Sequence, residues 1–172
     1  MEMNGLRKIA GLFGAVAVAA LAISCGGGGG TAAVSSRRFG SLAFSLTTTK
    51  RSYAVGEQVQ GTFTVRNVGH QTINLGVSGC DFAYNVLAGG NTVGGVGGCG
   101  SQDFFNVSIA PGATEVHNFV WNQKDSENAQ VPAGQYAILA WQPVVGIDGT
   151  LISPEQARSD LAASPVQVTL GP

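Results

Sequence analysis

Between residues 42 and 170, apolar and polar residues alternate with a period of two in one short run after another. Leu42, Phe44 and Leu46 form one such face, and Val59, Gly61, Phe63 and Val65 the next. The pattern returns at Ile73, Leu75, Val77, at Phe82, Tyr84, Val86 and at Phe105, Val107, Ile109. It closes with His117, Phe119, Trp121, with Tyr136, Ile138, Ala140 and with Val166, Val168, Leu170. Successive side chains of a strand point to opposite faces, so a run of this kind reads as a half-buried strand. Turn chemistry separates the runs at Val55-Gly56-Glu57, Asn67-Val68-Gly69, Pro111-Gly112 and Pro132-Ala133-Gly134. Proline fixes φ at such corners, and glycine or asparagine permits the left-handed conformation they require.

Eight or so short strands with these turns predict an all-β domain over residues 41–172, an immunoglobulin-like antiparallel β-sandwich. Two segments interrupt the alternation. Residues 88–100 are rich in glycine and read as a loop. Within residues 145–163, Ser153-Pro154-Glu155-Gln156 reads as a helix start, with serine as N-cap, proline at the first helical position and glutamine at the capping-box position. One short helical insert is therefore expected there.

The N-terminus has different chemistry. Arg7 and Lys8 precede an apolar run from Ile9 to Ile23, and Ser24 is the small residue that ends it. A basic flank, an apolar stretch of this length and a small residue form a secretory signal. A comfortable membrane span takes about 20 residues, more than this run supplies. Leu21-Ala22-Ile23-Ser24-Cys25 resembles a bacterial lipoprotein signal, although Ala22 stands where that signal usually has leucine. The resemblance implies cleavage after residue 24 and lipidation of Cys25, which places the chain in the cell envelope with its domain outside the cytoplasm. An ordinary signal with Cys25 near the cut is the alternative. Residues 25–40, with Gly26 to Gly30 at their start, then read as a tether, Arg37 and Arg38 included.

The chain carries 9 Lys and Arg against 10 Asp and Glu, and only 11% of it is charged. There is no basic field of the kind that nucleic acid requires. Beside Cys25, the remaining pair Cys80 and Cys99 is even in number and lies in an oxidising compartment if export is correct, so a disulfide is expected. Closing a loop of that size is worth about 3 kcal/mol in chain entropy. Free thiols or a metal site are the alternatives, but there is no Cys-x-x-Cys spacing, and His70 and His117 are remote in sequence.

Gly61-Thr62-Phe63-Thr64-Val65-Arg66-Asn67, Ile73-Asn74-Leu75, Ser78-Gly79-Cys80-Asp81-Phe82, Pro111-Gly112 and Pro132-Ala133-Gly134-Gln135-Tyr136 follow one another in an order that resembles the BsuPI-type intracellular proteinase inhibitor domain. The resemblance runs from about Ala54 to Trp141. It implies a sandwich fold and binding to a protein, with a proteinase as one class of target. The export signal, the two cysteines, the glycine-rich loop and the helical insert depart from that family.

No set of residues reads as catalytic, and no cofactor is called for. The acidic residues are dispersed. Asp125, Glu127 and Asn128 lack the full order of a Ca²⁺ loop. The glycine-rich loop lacks the Lys-Ser/Thr ending of a phosphate cradle. Trp121 and Trp141 read as core, His117 as a core or interface histidine and His70 as a solvated turn residue. Val93 and Val96, apolar among glycines and restrained by Cys99, are the expected partner-binding residues. Two functions stand side by side: a membrane-anchored protein-binding module, with a proteinase or another envelope protein as partner, and a structural or accessory envelope module. The anchor is directly testable. Cys25→Ser is expected to leave the membrane fraction or to accumulate unprocessed. If fractionation and intact mass match the wild type, the anchor is absent.

Overall fold

The computed structural model describes residues 31–96 and 104–171. Residues 1–24, Cys25 and Cys99 lie outside them. The all-β expectation with one short helix holds, but the described residues form thirteen strands rather than about eight. In chain order these are β1 (Ala33–Phe39), β2 (Leu42–Thr48), β3 (Ser52–Ala54), β4 (Val59–Asn67), β5 (Ile73–Ser78), β6 (Ala83–Ala88) and β7 (Asn91–Val96). There follow β8 (Phe104–Ile109), β9 (Thr114–Trp121), β10 (Gly134–Trp141), β11 (Val144–Ile147), β12 (Thr150–Leu151), helix α1 (Pro154–Asp160) and β13 (Val166–Gly171).

One layer is the sheet β1-β2-β4-β9. The facing layer consists of β3-β13-β10-β6-β7 and β12-β11-β5-β8. These two sheets continue one another. β5 pairs with β11 and β6 with β10, so two long antiparallel strands are each broken once at the waist of the domain. The breaks fall at Gly79–Phe82 and at Gln142-Pro143, where proline has no N–H to give to a ladder. Ser78 N donates to Pro143 O across the junction (3.2 Å). The excess consists of β1, β3, β7, β11 and β12, of which the break at Gln142-Pro143 accounts for β11. β3 and β13 are the exception to antiparallel pairing.

The alternating faces meet as expected. Leu42, Phe44, Leu46, Val59, Phe63 and Val65 pack in one core with Leu75, Val77, Val86, Ile138, Val166, Val168 and Leu170. Gly61 also faces inward, and a side chain there would strike the ring of Phe119 on β9. Ser153 caps α1 by accepting from Gln156 N (3.1 Å), with Pro154 as the first helical residue. The helix sends Ala157 and Leu161 into the core, and Arg158 lies over Trp141 at 4.9 Å.

The tether is shorter than expected, because residues 33–39 are strand β1. Its seven residues pair with β2 in unbroken register. Ala33 is its one buried residue, so it has no apolar face to betray it in the sequence. Backbone pairing and polar contacts hold it instead: Ser35 donates to Ser164 O, and Arg37 donates to Ser159 O and pairs with Asp160. Arg37 is therefore engaged with the domain and is not a linker residue.

Asn67 fastens one end of the sandwich. Its buried Nδ2 donates to Gln71 O (2.7 Å) and to Ile109 O (2.8 Å), and its Oδ1 accepts from Gly69 N (2.9 Å). It thereby joins β4, the turn after it and the end of β8. Asn67→Ala leaves the buried Ile109 carbonyl without this donor, an orphan that costs about 1–3 kcal/mol. Urea denaturation is expected to show a loss of at least that size; an unchanged midpoint would mean that water replaces the amide fully.

Candidate functional site at the open edge of the sandwich

The two layers close on one side, where β1 lies against β13. On the other side both end in exposed strands: β9 in the first layer, β7 and β8 in the second. The Tyr84 hydroxyl of β6 crosses the gap and donates to Val120 O of β9 (3.1 Å). Burial pushes the pKa of this hydroxyl up, so it stays protonated and able to donate.

The backbone orientation of β9 follows from its neighbours. Gln60 O accepts from Thr49 N on the β2 side, while Asn67 N and O bond to Ala113 and Gly112 on the β9 side. Odd-numbered residues of β4 thus turn their backbone groups toward β9. They are opposite Glu115, His117, Phe119 and Trp121. Val116, Asn118 and Val120 must then turn their N–H and C=O groups away from the sheet. Tyr84 takes the Val120 carbonyl, as that orientation requires. Among the described residues, no backbone group pairs with the outward groups of Val116 and Asn118.

This edge exposes three large apolar side chains beside the uncharged polar Asn106, Ser108, Thr114 and Asn118. Val116 is 58% exposed, Val120 49% and Phe104, at the start of β8, 71%. Along β8 and β9 the one formally charged residue is Glu115. Solvent-exposed edge strands are ordinarily blunted with lysine, proline or inward charges. Behind the edge, His117 stacks on Phe82 (5.3 Å between ring centres) and Phe63 (6.1 Å). Its buried Nε2 has no hydrogen-bond partner. The Glu115 carboxylate lies 3.8 Å from it and accepts from Gln142 Nε2 (3.3 Å).

The residues singled out from the sequence reach this region in part. Val93 and Val96 stand on β7, paired with β6, and not on a free loop. Val93 is half-buried and packs against the core, so it anchors the strand; Val96 is 53% exposed at the strand's end. The glycines beside them have steric work. A Cβ on Gly94 would lie 2.7 Å from Lys124 O, and Gly95, at φ +115°, would put one 2.3 Å from Tyr84 O. The expectation of a loop over residues 88–100 is thus corrected for residues 91–96, which are strand β7. Cys80 lies at the waist; its expected pairing with Cys99 falls outside the described residues. The edge strands themselves were missed as a site. The signal was the scarcity of charge across Phe104–Ile109 and Thr114–Trp121, where Glu115 is the one formally charged residue.

Other candidates resolve differently. Trp121 and Trp141 are buried. Asp125 Oδ1 accepts from Glu127 N and Ala129 N (both 2.9 Å), so this loop closes on its own backbone. Among the described residues, no group of three His, Cys, Asp or Glu is placed to hold a metal ion. His70 is exposed in the turn after β4, beside a groove of about 490 Å³ lined also by Phe39, Leu42, Ile73 and Asp148. No described helix is long and apolar enough to cross a membrane.

No protein-family model matches the chain, and no curated protein matches it. Among solved structures, a β-glucosidase from Erythrobacter marinus is 14% identical over 76% of this chain, with a TM-score of 0.43. The chain spans 15% of that enzyme's length. The sporulation control protein Spo0M from Bacillus subtilis is 13% identical over 78% of this chain and 51% of its own, at TM-score 0.43. A CARDB domain from Pyrococcus furiosus, solved with di-metal ions, is 16% identical over 73% of this chain and 84% of its own, at TM-score 0.38. Likenesses this distant carry no argument about function.

His117→Phe tests whether the histidine serves the fold. The substitution keeps an aromatic ring beside Phe63 and Phe82 and removes the orphaned nitrogen. An unchanged or higher Tm is expected, because exchanging an unsatisfied buried polar group for an apolar one of similar shape is neutral to stabilising. A clear fall would assign His117 a structural hydrogen bond.

Proposed function

We propose that this chain is a lipoprotein of the bacterial cell envelope, anchored through Cys25, whose immunoglobulin-like domain binds another protein along its open side. The observation that carries the reading is the pair of edge strands β8 and β9, which expose Phe104, Val116 and Val120 and bear Glu115 as their one formal charge. Such an edge is a liability in a protein that stays alone, and a binding surface in one that does not. The lipoprotein-like signal supports the anchor. The stretch from Cys25 to Ala33 reaches at most about 28 Å, which keeps the domain near the membrane. The BsuPI-type resemblance supports a proteinase as the partner and inhibition as the consequence.

The test is an inhibition series with the full chain in detergent micelles against serine, cysteine, aspartic and metallo-proteinases. Inhibition of one class is expected, weakened at least about tenfold, or about 1.4 kcal/mol, by Phe104→Lys combined with Val116→Lys. Both sites are exposed, so the melting temperature is expected to stay near the wild type. If no class is inhibited, the inhibitor reading fails and the accessory-module reading takes its place. Equal inhibition by wild type and double variant would move the contact off this edge.

A further inference from the structure

The backbone of β9 offers groups that no backbone group of the described residues pairs with, in a fixed pattern, and the side chains around them define what can pair there. We infer that β9 takes up an extended segment of the partner as an added antiparallel strand, and that this segment carries a lysine or arginine opposite Glu115. The inference rests on the protein-binding reading; it needs neither the lipid anchor nor inhibition.

Val116 and Asn118 present N–H and C=O to the edge, and Val120 presents its N–H beside the carbonyl held by Tyr84. In an antiparallel addition these residues exchange backbone hydrogen bonds with the incoming strand. Their side chains face outward, so β-branched residues opposite Val116 and Val120 give the cross-strand pairs that stabilise a sheet. The odd residues fall between, at the closely spaced positions where opposing side chains approach most nearly. Glu115 is one of them. Its side chain is 28% exposed, and Gln142 Nε2 at 3.3 Å is its one hydrogen-bond donor among the described residues. A strand laid along the edge removes more of its water. A buried carboxylate needs a counter-charge, and no lysine or arginine of the described residues pairs with it. The nearest basic group among the described residues is the His117 imidazole at 3.8 Å; an incoming lysine or arginine supplies a full charge. Read from its N-terminal side, that segment has a β-branched residue opposite Val120, three less restricted positions, a β-branched residue opposite Val116 and then the basic residue. An acidic residue in the last place is excluded.

A displayed library of random twelve-residue peptides, panned against the full chain in detergent micelles, tests this. Enriched peptides are expected to show the β-branched, three-residue, β-branched, basic order. A synthetic peptide of the enriched sequence should protect the Val116 and Asn118 amides from hydrogen exchange. Val116→Pro deletes the outward N–H while leaving the β4 ladder intact, and prolines are tolerated on edges in that orientation. It should weaken binding at least about tenfold, whereas Val116→Thr, which keeps the N–H and the branch, should stay within about threefold. Exchanging the peptide's basic residue for glutamine should weaken binding to the wild type and not to Glu115→Gln. The inference is overturned if no peptide is enriched over empty micelles, if Val116→Pro binds as well as Val116→Thr, or if protection maps to β7 or β12. Peptide uptake on β9 without inhibition of any proteinase would leave strand addition standing and remove only the inhibitor reading.

Discussion

The rings of Phe63 and Phe82 meet across the two layers at 6.2 Å. From that contact an aromatic chain extends in both directions. Phe44 stacks on Phe63 within the first sheet, and Phe82 continues to Tyr84, which meets Phe119 of β9 at 4.7 Å. The chain thus leaves sheet β1-β2-β4-β9, crosses to β6 and returns. Large rings bury much apolar area and pack in preferred offsets, so they set layer separation and lateral position together. Phe82 sits in the break between β5 and β6, where a regular strand would have alternated past this position. The interruption at the waist therefore helps to hold the layers in register. His117 belongs to the same stack, which explains how an imidazole without a partner on Nε2 is accommodated there.

Much of the sandwich was legible because its central strands separate a wet face from a dry one. β2 and β4 show strict alternation of buried and less buried positions, and their sequences announce it. The helix was legible for another reason: Ser153 and Pro154 encode a local start that does not depend on tertiary packing. What sequence reasoning missed lies at the margins. β1 is polar nearly throughout and owes its existence to the backbone of β2 and to contacts with residues 159–164. β7 hides among glycines, whose role becomes visible only when Lys124 O and Tyr84 O are seen to leave no room for a Cβ. The open edge hid in the same way. The alternation that revealed β9 as a strand says nothing about whether it has a neighbour on both sides.

Buried amides fasten the ends that the core does not reach. Gln123, fully buried at φ +58°, accepts from Gly56 N (2.7 Å) and donates to Ala54 O (2.8 Å) and Glu57 O. Asn67 does the corresponding work at the opposite end. Each side chain replaces a ladder partner for backbone groups that turns would otherwise leave unpaired. Neither residue stands out in composition, since glutamine and asparagine are ordinary surface residues until topology encloses them.

The entry of the chain at Ala33 has a mechanical meaning. Consider a pull from the N-terminal side that acts along the axis of β1. The strand is paired with β2 from Ala33 to Phe39, so the backbone bonds between them are loaded side by side, in shear, and must fail together. A strand pulled from the perpendicular direction would open one bond at a time, like a zipper. The polar strand that contributes little to the core is thus the element best placed to carry tension into it.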